Sequence, residues 1–195
     1  MVMARGRPRE EGIDDAVREA VRALLTETGY QRCTIDAVAA RAGVGKAAVY
    51  RRWRSKAELV FAAVIHPAEL EPPSDTGSLR GDVAAVLEVI QSSLDGVELR
   101  QALPSLLADV RADPVLEARF GEVFLGRERG YLVQMLDRAV ARGELPRRPD
   151  PALVHAILLG PVLTWLHLFT ETPPSGGLAA SLASPLHAAV VALGA

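Results

Sequence analysis

Residues 34–59, TIDAVAARAGVGKAAVYRRWRSKAEL, constrain the fold more tightly than any other stretch of this chain. Thr34 is an N-cap residue whose hydroxyl can accept from a free amide of the first helical turn. Ile35, Val38, Ala39 and Ala42 then recur at helical spacing. Gly43 follows where a helix end commonly needs a left-handed residue. Gly43-Val44-Gly45 is too short to leave the compact unit, and Val44 is expected to plug the angle between two helices. The next helix is expected over residues 46–53, with Val49 and Trp53 at i and i+4 turned inward. Ala47, Ala48, Tyr50, Arg51 and Arg52 are left for its other faces. Two helices joined steeply by a short glycine turn form a helix-turn-helix, whose second helix can enter a major groove. Ser55-Lys56-Ala57-Glu58 is a capping box that starts another helix.

The run AGVGKAAVYRRWRSKAEL resembles the DNA-binding signature of the TetR (tetracycline repressor) family, AGV-S/G-K-x-x-I/L/V-Y-x-x-F/W-x-S-K-x-x-L. Two positions depart from the commoner pattern. Gly45 stands where Ser or Thr often caps the recognition helix, and Ala48 where Thr or Ser often meets DNA. The resemblance implies an all-α chain: a three-helix N-terminal DNA-binding domain, a connector helix, and a C-terminal bundle for ligand binding and dimerisation. It also implies a ligand-responsive repressor acting as a homodimer on a palindromic operator.

The residues themselves suggest how such a face would meet DNA. Lys46 begins the recognition helix, where free amides also favour a phosphate. Tyr50, one turn on, can donate to phosphate. Arg51 or Arg52 can fork onto guanine O6 and N7, while Ala47 and Ala48 offer methyl surface or allow close approach. Thr34, Ser55 and Lys56 match family positions that grip the DNA backbone, with Gly45 beside them in the turn. Arg5 and Arg7, in the arm Arg5-Gly6-Arg7-Pro8-Arg9, are candidates for the minor groove.

Charge supports the division. The chain as a whole carries −2, but residues 1–60 hold 12 Lys and Arg against 8 acids, a net of +4, leaving −6 on the rest. A basic face on an acidic body is the footprint of a nucleic-acid binder. With 49% hydrophobic and 24% charged residues, the composition is that of a globular protein. The single Cys33 excludes an internal disulfide framework and reads as a buried small hydrophobe.

Along the chain, Ile13, Ala16, Val17, Ala20, Val21, Leu24 and Leu25 form one apolar stripe of a first helix over 13–27, stopped by Gly29. Tyr30 is expected beneath the next helix. The fourth helix runs from Ser55 to Ile65, and the proline-rich residues 69–77 mark a boundary. This divides the chain into a DNA-binding domain over 1–54, a connector and linker over 55–77, and a regulatory and dimerisation domain over 78–195. Further helices are expected over 78–94, over 97–111 with a kink or restart at Pro104, after Asp113-Pro114, after Asp150-Pro151, and over about 178–193. Ser184-Pro185 marks a start or a kink in the last, and Pro161 a kink in the one before it. The total is about nine helices, with no strand and no repeat.

The apolar run 156–169 is broken by Gly160-Pro161 and His167 and falls short of the ~20 residues of a membrane span, so a buried helix is expected. Charged residues follow the first Met almost at once, so no secretory signal and a cytoplasmic protein are expected. The apolar helix and the last helix, near 152–169 and 178–193, hold more hydrophobic surface than a small bundle can hide, which points to a homodimer.

Phe120, Phe124, Tyr131, Met135, His155 and Trp165 are candidates for an apolar effector pocket. His155, His167 and His187 lack metal-ligand spacing and an evident acidic or thiol partner, so no metal or cofactor is expected. Two other classes remain open: an effector-blind DNA-binding repressor, and an all-helical small-molecule-binding protein or enzyme. Against the enzyme stands the absence of a nucleophile–base pair, a carboxylate dyad or a phosphate loop.

Overall fold

The computed structural model describes residues 7–64, 73–169 and 171–195, and the elements among them are helical throughout. The order is α1 (Arg7–Arg32), α2 (Ile35–Ala42), α3 (Lys46–Tyr50), α4 (Lys56–Val64), α5 (Leu79–Leu94), α6 (Val97–Ala112), α7 (Pro114–Phe120), a π-helical turn (Gly121–Leu125), α8 (Gly126–Ala141), α9 (Pro151–Leu168) and α10 (Leu178–Gly194). These ten α-helices fall into two compact units. One comprises Met1–Leu70 with Gly96–Glu117, the other Glu71–Asp95 with Ala118–Ala195.

In the first unit α1 is the spine, packing against α2, α4 and α6. Val17, Val21, Leu24 and Leu25 on its apolar stripe are all buried. Each such side chain contributes about 1.5–3 kcal/mol on burial, so this stripe decides where the neighbouring helices dock. The helical path is interrupted at Gly29 (φ 75°, ψ 172°) and resumes to Arg32. Tyr30 is thereby turned inward, 4% exposed, beside the buried Cys33. α6 packs against α1 and α4, so the segment that the sequence groups with residues 78–195 lies in the same unit as the helix-turn-helix. Its side of the contact is supplied by Leu99, Ala102, Leu103, Leu106 and Val110, all buried.

The second unit is organised on α5, which packs against α10, α9 and α8. Its start is tied down by ions. Asp82, 2% exposed, accepts from the Thr76 amide and hydroxyl, both at 2.8 Å, and from Arg142 at 3.1 Å. Burial alone would push the Asp82 carboxyl up. The Thr76 bonds, Arg142 and Arg138 outweigh it and hold the carboxyl below its ordinary 3.8. Glu144 accepts from the Leu79 amide, one of the free donors at the α5 start, at 2.8 Å. At Gly81 a Cβ would stand 2.3 Å from Thr76 Oγ1, so no larger residue fits that turn.

Three expectations need correction. The recognition helix is regular only to Tyr50, because Arg52 N bonds Val49 O in a tighter turn, although Arg51 keeps helical angles (φ −67°, ψ −25°). α6 and α10 each continue as one helix through Pro104 and Pro185, so the first is no restart and the second no helix start, and α9 likewise contains Pro161. α9 is not a buried helix: Val154, His155, Leu158, Val162 and Leu166 are buried, and the other 13 of its 18 residues are not. Its neighbours α5, α8 and α10 cover one side only.

Candidate nucleic-acid interface

Local capping builds the helix-turn-helix as the residues require. Thr34 Oγ1 accepts from Ala37 N at 3.2 Å. Gly43 is left-handed (φ 66°, ψ 26°), and Val44 N reaches back to Ala39 O at 3.1 Å, closing α2. Val44 is half-buried in the turn. Gly45 begins α3 without a side-chain cap. Val49 and Trp53 are buried, 0% and 8% exposed, so the remaining residues of α3 turn outward. Ser55 Oγ accepts from Glu58 N at 3.1 Å, and Glu58 reaches back to Arg54 N at 2.8 Å, a reciprocal cap that fixes the start of α4.

The outward face of α3 carries Lys46, Ala47, Tyr50 and Arg51, all exposed, with Ala48 half-buried. Thr34 is exposed but its hydroxyl serves the cap, and Ser55 is likewise engaged. Arg5 lies outside the described residues. Arg7 opens α1, and its side chain also lies outside them.

Acidic partners sort the cations in a way that no spacing announced. Lys46 Nζ lies 2.6 Å from Asp36 Oδ1, and this pairing holds its ammonium above the ordinary 10.5. Arg52 Nε donates to Asp14 at 2.6 Å, and its side chain is only 20% exposed. Arg41 forks onto Glu27 at 2.5 and 2.6 Å. Lys56 Nζ sits 3.8 Å from the centroid of the Tyr30 ring and donates to Gln31 O at 3.4 Å. Burial pushes Lys56 below its ordinary 10.5, partly opposed by Asp109. Arg51 is exposed and carries no ion pair among the described residues. The acids Asp14, Glu27, Asp36 and Asp109 were missed in the sequence because each meets its partner across a helix–helix contact, at separations of 10 residues or more.

The effector candidates all belong to the second unit or its entry. Met135 and His155 are buried, on the packed pair α8 and α9. His155 Nε2 lies 2.9 Å from Glu128 Oε2, so this histidine has the acidic partner that the sequence did not reveal, 27 residues away. Tyr131 is half-buried and its hydroxyl accepts from Arg127 Nε at 2.9 Å. Trp165 is half-buried, stacks edge-on with Phe169 at 5.6 Å, and buries its indole N–H without a hydrogen-bond partner. Phe120 is half-buried, and the side chain of Phe124 lies outside the described residues.

Comparison with known proteins follows the same division. Residues 17–63 match the family model for bacterial regulatory proteins of the tetR family. Residues 73–186 match the model for a tetracyclin repressor-like C-terminal domain. Over 123 residues the chain is 39% identical to Rv1556 of Mycobacterium tuberculosis, named an HTH-type transcriptional regulator. That match takes in 63% of this chain and spans only 60% of the relative's length. A protein of Mycobacteroides abscessus named DNA-binding transcriptional repressor TetR is 32% identical over 136 residues, 69% of this chain and 71% of that one. Among solved structures, the TetR family transcription regulator SCO0332 superposes with a TM-score of 0.68 at 23% identity, covering 89% of this chain and 96% of that chain.

Proposed function

The chain belongs to the TetR family of bacterial regulatory proteins, and from that premise we propose that it is a transcriptional repressor that binds a palindromic operator as a homodimer and is released by a small apolar effector. The family is one of transcriptional regulators rather than enzymes. The observation that carries the reading is the face of α3. Behind the Gly43 turn, with Val49 and Trp53 locked inward, it offers Lys46, Ala47, Tyr50 and Arg51 to solvent in one exposed group.

In this reading Lys46 and Tyr50 hold phosphates, Ala47 and Ala48 let the helix sit close to the base edges, and Arg51 reads guanine. Arg52 is the weaker base reader because Asp14 holds its guanidinium. Thr34, Gly45 and Ser55 shape the turn and present backbone to the DNA strand. Lys56, seated on Tyr30, positions the start of α4 and reaches a phosphate only by leaving that seat. Arg5 and Arg7 extend the contact into the minor groove.

Support for the homodimer comes from α9 and α10. On α10 the exposed residues Ala180, Ser184, Ala188 and Ala192 repeat every four positions, a ladder of small side chains. On α9 Leu153 and Ala156 are exposed and Gly160 is half-buried. A second copy across a two-fold axis would cover both, and a two-fold protein requires a two-fold operator. The effector region is assigned to the packed helices α8 and α9, which carry Tyr131, Met135, His155 and Trp165, with Phe120 and Phe124 ahead of α8 in the chain. The unpartnered indole N–H of Trp165 is a donor for an acceptor on an otherwise apolar ligand. Such a ligand releases DNA only through different affinities for the two states. The site of action is the cytoplasm.

Selection of bound sequences from a randomised duplex pool, at near-physiological salt, tests the reading. An enriched inverted repeat supports it. Loss of that binding on adding an apolar compound that the protein retains would support the effector. A folded protein that enriches no sequence overturns it.

A further inference from the structure

Lys46 is the foremost cation of the recognition face, yet it is not free. Its ammonium is chelated by both carboxylate oxygens of Asp36, at 2.6 and 2.9 Å, with the Tyr50 ring flanking it at 5.8 Å from the centroid. Asp36 lies in the first turn of α2, where a carboxylate also complements the free amides of the helix end. Both side chains are open to solvent, 55% exposed for Lys46 and 65% for Asp36. The pair is therefore accessible to anything anionic that approaches α3. We propose that Asp36 is an intramolecular competitor of DNA phosphate for Lys46, a residue that sets the salt dependence and holds down the strength of binding to duplex. The proposal rests on the reading of α3 as a DNA-binding helix.

The argument is one of charge. A duplex phosphate that takes Lys46 must displace Asp36, whose carboxylate is then left facing a polyanion and retains a cation of its own. The contact releases one counterion from the DNA and captures one at Asp36, so its net dependence on salt is close to zero. Without the carboxylate the same contact releases a counterion outright. Each such contact contributes a slope of about 0.9 in log K against log salt. An exposed pair of this kind adds little to folding stability, so its removal acts on binding and not on the fold.

The experiment measures affinity for the selected operator between 50 and 200 mM salt by fluorescence anisotropy. The proteins compared are wild type, Asp36→Asn, Asp36→Glu, Lys46→Ala and the double variant Asp36→Asn with Lys46→Ala. Asp36→Asn is expected to tighten binding at 50 mM and to steepen the salt slope by about 0.9, an additional ~3.5-fold loss across that range. Asp36→Glu keeps the charge and the wild-type slope. In the Lys46→Ala background Asp36→Asn should leave the slope unchanged, because the competed cation is gone. Unchanged affinity and slope in Asp36→Asn overturn the competition. So does an equal gain in the Lys46→Ala background, which would make the effect simple repulsion between Asp36 and DNA. Circular dichroism melts verify that each variant is folded. Wild-type protein that binds no duplex removes the DNA-binding reading and this inference with it, whereas binding that ignores Asp36 removes only the inference.

Discussion

The ring of Tyr30 carries the Lys56 ammonium 3.8 Å from its centroid and, at its other end, donates its hydroxyl to Asp109 at 2.6 Å. One side chain thus joins the end of α1, the start of α4 and the last turn of α6 within a single unit.

That junction predicts an alkaline dependence of stability. Burial first, then the Asp109 bond and charge, push the Tyr30 hydroxyl far above its ordinary 10.0. A group with a raised folded value keeps its stabilisation below the unfolded value and loses it above. The unfolded chain ionises first, so stability should fall above pH about 10 by up to ~1.4 kcal/mol per pH unit. Tyr30→Phe should cost about 1–2 kcal/mol at pH 7 and remove this dependence, as read by urea unfolding at pH 8 to 11.

Asp82 predicts the opposite window in the second unit. Its carboxyl is held below 3.8 in the fold, so its stabilisation is complete above that value and disappears as pH falls through the folded one. Asp82→Asn should cost about 2–3 kcal/mol at pH 7, less than a fully buried pair because the guanidiniums of Arg138 and Arg142 are partly hydrated. The gap from wild type should close below pH about 4 in denaturation measured on both proteins.

Gly45 can be improved. It caps α3 with extended angles (φ −68°, ψ 136°), makes no side-chain cap, and leaves open space where a Cβ would stand. Gly45→Ser should raise stability by about 0.5–1 kcal/mol through a new cap and a less free unfolded chain. Gly43→Ala, at positive φ, should instead lower it by about 1 kcal/mol, both read as shifts in the thermal midpoint.

Arg51 and Arg52 should separate cleanly. Arg51→Ala should cost about 1–3 kcal/mol on the selected operator and relax the preference at one base pair of each half-site. Arg52→Ala should act mainly on folding by releasing Asp14 and leave base preference unchanged, in a comparison of selected pools.

The α10 ladder predicts a dimer that a single charge breaks. Ala188→Glu places a charge in the middle of the small-residue stripe and should convert a dimer to the monomer mass in sedimentation equilibrium, with the helical circular dichroism retained. Persistence of the dimer would move the interface off α10.

Much of this protein is written locally. Thr34, Gly43, Ser55 with Glu58, and Asp150 before Pro151 each cap the helix end that their type dictates, because a cap is made within four residues. The α1 stripe and the inward Val49 and Trp53 follow from helical spacing alone, and the register of residues 42–59 was enough to indicate the family. Helix ends were less legible. α3 stops being a regular helix after Tyr50, where Arg52 N bonds Val49 O, and Pro104 and Pro185 lie inside helices.

The sequence by itself determined that the elements are helices, the turn that presents α3 and the outward placing of Lys46, Ala47, Tyr50 and Arg51, since all three depend on contacts between residues a few positions apart. Only the tertiary structure decided which of those cations are already taken. Lys46 meets Asp36, Arg52 meets Asp14, Lys56 meets Tyr30, and α6 joins α1 and α4. Each of these pairings depends on how two helices cross, and a crossing is set by the whole buried surface between them, which no short stretch of sequence contains.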